Sequence, residues 1–189
     1  MHSTKLINEQ SAMYFADGTE SQQTILKQSG EPYLPLTKWA FQYSSGTPLT
    51  VSENWSLNYA RDHYRDEYHA LMKSRGVDFI LAPTYLGVAA VLGEPQYWNY
   101  TAIWNVLDQP AVVFPSGLVV DEELDSAEEG YQPRNAVDER EWKKYSPERY
   151  VGAPIALQLV GKKFKDEEVL AAAKVVEGAL KADTSKEMN

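Results

Sequence analysis

Cysteine is absent from the 189 residues. That excludes disulfides, thiolate catalysis and cysteine-ligated zinc. Long apolar runs are missing too. The longest uncharged stretch, Phe79 to Gly93, is interrupted by Pro83, Gly87 and Gly93. It falls short of the roughly 20 apolar residues a membrane-spanning helix needs. The first ten residues are polar and carry no apolar signal segment, so a cytoplasmic protein is expected. Neither G-x-G-x-x-G, a P-loop nor a G-x-S-x-G nucleophile elbow occurs. A basic stripe of the kind that holds nucleic acid is also lacking. The net charge is -9, yet nine acids and two arginines between Asp121 and Glu141 account for -7 of it. The rest is a near-neutral body.

What is present reads as a globular α/β chain: 43% of residues are hydrophobic and 12% aromatic. Leu6, Ile7, Met13 and Tyr14 predict a loose helix stopped at Asp17-Gly18, and a second short helix spans Ser21 to Gln28. The three prolines between Glu31 and Pro48 predict a traversing loop. A long helix is expected from Ser52, as N-cap, to Ser74, with Gly76 closing it. Trp55, Tyr59, Tyr64, Tyr68, Leu71 and Met72 are its apolar positions. Three apolar bursts follow: Asp78 to Pro83, Ala111 to Pro115, and Pro154 to Val160. Each is apolar nearly throughout, the pattern of strands buried on both faces. A last helix starts at Asp166 as cap and runs through Val169, Leu170, Ala173, Val176 and Leu180. Residues 121–142 form an exposed acidic excursion, and 183–189 a disordered tail.

Three such strands need cover on both faces and neighbours at both edges. The helices on hand do not supply that. The strands are therefore expected to belong to a wider sheet whose other members this chain lacks. Self-association through exposed sheet edges is the corresponding expectation for partners.

Candidate chemistry is sparse. Ser44-Ser45-Gly46 lacks the preceding glycine that an oxyanion-forming turn usually provides, so an ordinary turn is expected. His63 and His69 fall on different faces of the long helix. His63 and Glu67 form an i,i+4 surface pair rather than a metal site. Lys162 and Lys163 follow a strand without phosphate-loop glycines. The stretch from Tyr97 to Gly117 interleaves aromatics with Asn, Thr and Asp before a strand. It suits either a pocket wall or a core helix, Tyr100 to Leu107, that packs Ile103, Trp104 and Leu107. Pattern alone favours the core helix.

Four ordered blocks carry a resemblance: Ser29-Gly30-Glu31-Pro32, Asp78-Phe79-Ile80-Leu81-Ala82-Pro83, Tyr100-Thr101 through Asn105 to Asp108-Gln109-Pro110-Ala111, and Gly152-Ala153-Pro154 through Leu157-Gln158-Leu159-Val160-Gly161. Together they resemble the C-terminal part of the amidase signature family, especially fungal acetamidase-type members, over residues 5–182. The resemblance implies the C-terminal portion of an α/β/α fold around a mixed sheet. It also implies hydrolysis of carboxamides to an acid plus ammonia or an amine. The family's lysine and two serines lie in its N-terminal half, so no catalytic residue carries over and the chain alone is expected to be inactive. No cofactor or metal is implied. Tyr100, Thr101, Trp104 and Asn105 are the residues expected to face the substrate, and Asp108-Gln109-Pro110 to turn the chain into a strand. The alternative is a non-catalytic binding or subunit-interaction module of amidase descent.

Overall fold

The computed structural model describes residues 12–126 and 128–187, so Leu6 and Ile7 of the expected first helix lie outside the described residues. Within the stretch read as one segment, the chain forms two compact units. One comprises Met1–Asp78 with Val91–Gln109, the other Phe79–Ala90 with Pro110–Asn189.

The first unit is helical. Residues 12–14 form a helical turn, and α1 (Glu20–Ser29) follows where a short helix is expected. It ends at Gly30, whose φ of 71° is the left-handed conformation glycine adopts without strain. The expected traversing loop instead contains a helix, α2 (Pro35–Phe41). Pro35 opens that helix: its fixed φ suits the first turn, where the missing N–H is no loss. Counting prolines as breakers therefore misread the segment. Phe41 packs edge-on against Phe15 and Tyr33, at 6.1 and 5.7 Å between ring centroids.

Helix α3 (Val51–Ser74) starts one residue before the expected cap. Thr50 is the N-cap, and it forms a reciprocal capping box with Glu53. Glu53 N–H donates to Thr50 Oγ1 at 3.2 Å, and Thr50 N–H donates to Glu53 Oε2 at 2.8 Å. The expected single apolar face is also corrected. Met72 is the buried residue of this helix, Tyr64 and Tyr68 are half-buried, and Trp55, Tyr59 and Leu71 are exposed. At roughly 100° per residue, Trp55 and Tyr64 point to opposite sides. Helix α4 (Asn99–Leu107) packs beside α3 and buries Ala102, Trp104, Val106 and Leu107.

The second unit holds the sheet: β1 (Ile80–Pro83), β2 (Ala111–Val119) and β3 (Pro154–Val160). The order is β1-β3-β2, and both outer strands run antiparallel to β3. The described strands thus contain no parallel pair, although a mixed sheet is what the resemblance implies. Leu81 and Val112 lie opposite Leu159, while Pro83 and Phe114 lie opposite Leu157. Burial on both faces holds only along the second half of β3, where Gln158, Leu159 and Val160 are buried in succession. In β2 buried Phe114 and Ser116 alternate with exposed Val113, Pro115 and Gly117. The difference is positional: β3 has a neighbour on each side, and β1 and β2 are edges.

Helix α6 (Asp166–Glu187) covers one face of the sheet. Ala173 packs with Phe114 and Leu159, and Val176 and Leu180 pack around them. Val169 N–H donates to the carbonyl of Lys165, so Asp166 is the first helical residue rather than the cap. Its carboxylate joins Glu167 and Glu168 in the first turn, where negative charge suits the helix dipole. The helix continues through 183–187 of the expected tail, and residues 188–189 lie outside the described residues.

The acidic excursion is exposed over 121–126 and acquires order toward its end. There α5 (Ala136–Trp142) is capped by the Asn135 side chain. Glu141 of α5 accepts hydrogen bonds from Tyr85 at 2.9 Å, Lys144 at 3.0 Å and Arg140 at 2.8 Å. A short 3-10 turn, Pro147–Arg149, leads into β3.

Candidate functional site

The residues expected to face a substrate all sit on α4, and its start is held by aromatics. The Trp98 ring lies 4.8 Å from Trp39 and 5.1 Å from Tyr43, which are themselves 5.3 Å apart. Trp98 belongs to the aromatic stretch singled out from the sequence, whereas Trp39 and Tyr43 do not. The i,i+4 spacing of Trp39 and Tyr43 at the end of α2 was the available signal, hidden by the loop reading. The Trp98 carbonyl accepts from the Ala102 N–H at 2.8 Å and from Thr101 Oγ1 at 2.9 Å. Thr101 thereby spends its hydroxyl on its own helix.

The far end of α4 is fastened to α3. Arg65 reaches across and donates from Nε to the carbonyl of Val106, one of the terminal carbonyls that a helix leaves unpaired. Asp108 then takes a left-handed conformation, φ 56°, and Gln109 N–H donates to the Trp104 carbonyl at 3.0 Å. This is the expected turn: aspartate tolerates that conformation better than most residues. Gln109 is buried, and its Nε2 donates to Met72 Sδ at 3.2 Å.

Within this frame the four expected residues divide. Trp104 is only 8% exposed, and its Nε1–H has no hydrogen-bond partner among the described residues. Asn105 is exposed and donates from Nδ2 to Tyr14 Oη at 2.7 Å. Thr101 is exposed, and Tyr100 is half-buried with its ring 5.9 Å from Tyr97. The same unit contains a polar cleft of ≈ 380 Å³ that includes Asp17, Glu20, Lys27 and Tyr33, and none of the four lines it.

The other candidate groups are occupied in ordinary contacts. Ser45 Oγ donates to the Thr47 carbonyl at 2.8 Å, and Ser44 Oγ accepts from Gly46 N–H at 3.1 Å; this is a local turn. His63 Nε2 lies 3.3 Å from Glu67 Oε1 with both side chains in solvent. Burial pushes the phenol pKa of Tyr64 up, helped by neighbouring Tyr68 and Glu67, and burial pushes Tyr68 up as well. Neither is a ready phenolate base. Among the described residues no cluster of three or more His, Asp or Glu is placed to hold a metal ion. No described helix is long and apolar enough to cross a membrane.

A model of the family described as Amidase matches residues 3–170. The chain belongs to the Amidase family. A Schizosaccharomyces pombe protein named Putative amidase C550.07 is 44% identical over 171 residues, covering 90% of this chain and 31% of that protein. Amidase 1 of Gibberella moniliformis is 35% identical, over 88% of this chain and 33% of its own length. The acetamidase of Aspergillus oryzae is 29% identical over 87% and 31%, respectively. Among solved structures, a fatty acid amide hydrolase superposes with a TM-score of 0.89 at 39% identity, over 95% of this chain and 32% of that one. The α/β architecture is thus that of part of the amidase signature fold. The chain spans about a third of the length of the relatives it matches.

Proposed function

We propose that this chain is the C-terminal, scaffold-bearing portion of a carboxamide hydrolase and does not hydrolyse amides by itself. Its match to one third of a fatty acid amide hydrolase carries the reading, because nearly the whole chain is used in that superposition. Acyl transfer from an amide needs an activated nucleophile and donors aimed at the developing oxyanion. The best serine candidates, Ser44 and Ser45, are engaged in a turn of their own. In this reading the small amide substrate binds when the rest of the fold is supplied, and Tyr100, Thr101, Trp104 and Asn105 belong to the wall around it. The half-buried Tyr100 and the Trp104 Nε1–H, unpaired among the described residues, support that assignment best. The reading includes a cytoplasmic location.

Incubating the purified chain with acetamide and with an aryl amide, while assaying ammonia and arylamine, tests the proposal. No release above a heat-denatured control is expected. Release that scales with chain concentration overturns it, and its loss in Ser44→Ala or Ser45→Ala would locate the nucleophile in that turn. A second reading, a non-catalytic interaction module, draws on the exposed edge of β2. It predicts that the chain lends no activity when mixed with the remaining portion of a related amidase.

A further inference from the structure

We infer that residues 131–146 form a strap that swings off the second unit as one piece, with the Tyr85–Glu141 hydrogen bond as its latch. The root of the strap is fixed by backbone. Val120 N–H donates to the Ala153 carbonyl at 3.0 Å, and Gly152 N–H donates to the Val120 carbonyl at 2.9 Å. The excursion therefore closes on itself where it leaves and rejoins the sheet. Beside that root Tyr145 stacks on buried Tyr150, with ring centroids 5.6 Å apart. The body has order of its own. Tyr131 stacks on Trp142 at 5.5 Å and donates to Asp138 Oδ2 at 2.8 Å, and Arg134 N–H donates to the same oxygen at 2.9 Å. Asn135 Oδ1 accepts from the N–H groups of Val137 and Asp138, both at 3.0 Å. Each of these body contacts joins two residues of the strap, so it survives when the strap moves.

The placement of charge lets the latch open. Tyr85 Oη donates to Glu141 Oε2 at 2.9 Å, while Arg140 and Lys144 hold Oε1 at 2.8 and 3.0 Å. Both cations belong to the strap. Opening therefore parts a neutral phenol from the carboxylate and keeps the ion pairs together, and water takes the phenol's place. A latch built from opposite charges on the two sides would leave each buried charge unpaired, a far larger penalty. The loop under the strap stays where it is. Thr84 Oγ1 donates to the Ala156 carbonyl at 3.3 Å, and Ala89 N–H donates to the Pro154 carbonyl at 3.0 Å. The device thus exposes Tyr85, at the corner between the end of β1 and the start of β3, without unfolding the sheet.

Amide hydrogen exchange of the purified chain, in urea below the unfolding transition, tests the inference. Amides 139–143 of the strap are expected to exchange through an opening that depends weakly on urea, and amides 157–160 of β3 through one that depends steeply. Tyr85→Phe keeps the ring and removes the hydroxyl, so strap exchange should quicken about tenfold to a hundredfold. Val169→Ala loosens the core beneath α6, which the open strap leaves intact. It should quicken β3 exchange about tenfold and leave strap exchange unchanged. Equal urea slopes, strap exchange unmoved by Tyr85→Phe, or strap exchange that quickens with Val169→Ala would each overturn the inference.

Discussion

Gly161 joins β3 to the loop before α6, and the space around it leaves no room for a methyl group. Its N–H donates to the Pro110 carbonyl at 3.0 Å, so its backbone is fixed. A Cβ built there would lie 2.3 Å from Val169 Cγ2 and 3.5 Å from the Phe79 ring. Val169 is buried, and a β-branched side chain on a helix has essentially one χ1 rotamer. Gly161→Ala therefore has to move α6 or the loop. Overpacking of this kind costs about 1–3 kcal/mol. Stiffening of the unfolded chain returns about 0.4–1 kcal/mol, leaving a net loss of about 1–2 kcal/mol. For a chain of this length that lowers Tm by about 5 °C. The assay is thermal melting by circular dichroism, run as a double-mutant cycle with Val169→Ala. Removing Cγ2 should erase most of the Gly161→Ala loss, a coupling of about 1–2 kcal/mol. A Gly161→Ala chain that melts with the wild type refutes the reasoning. So does one that keeps its full loss in the Val169→Ala background.

Glu141→Gln should destabilise the second unit by about 1.5–3 kcal/mol at neutral pH, because a carboxylate only 6% exposed loses charge-assisted hydrogen bonds. Burial pushes the Glu141 pKa up, but hydrogen bonds from Lys144, Arg140 and Tyr85 outweigh it and hold the group below its ordinary 4.5. Its contribution is therefore complete above that value and disappears as pH falls through the lower folded value. Urea melts of wild type and Glu141→Gln should differ at pH 7 and converge in acid; a constant gap would remove the carboxylate from the explanation. Thr50→Ala should cost about 1 kcal/mol by opening the capping box of α3, with Thr50→Ser retaining most of it. Equal melting of the two variants would contradict that.

Legibility followed how local the cause of each element is. β3 was readable to the residue because seven apolar or amide side chains stand between a turn at Gly152-Ala153 and Gly161. α1 was readable within a residue at each end for a similar reason, its stop being Gly30. α2 was not, because Pro35 initiates a helix with the same residue that ends others. The caps of α3 and α6 were misplaced by one or two residues, since several polar residues in a row can each satisfy the pattern. Of the candidate site, the sequence indicated the helix and its four side chains. It could not show that Trp39, Tyr43 and Trp98 converge from two segments, or that Arg65 reaches Val106 across 41 residues.

The strands pose a different problem, because composition records how much burial a strand requires and not who supplies it. Ala111-Val112-Val113-Phe114 and Leu157-Gln158-Leu159-Val160 are equally apolar runs to the eye, yet every second residue of the first is exposed while the last three of the second are buried. The difference is met by neighbours: β3 lies between two strands, whereas β2 has one. A strand whose composition asks for two covered faces and whose own chain covers one carries unmet demand of about 25 cal/mol for each Å² left in water. In β2 that demand falls on Val113, Leu118 and Val119. Whatever adds a strand at this edge, a second copy or the rest of an amidase sheet, gains backbone hydrogen bonds and apolar contact together.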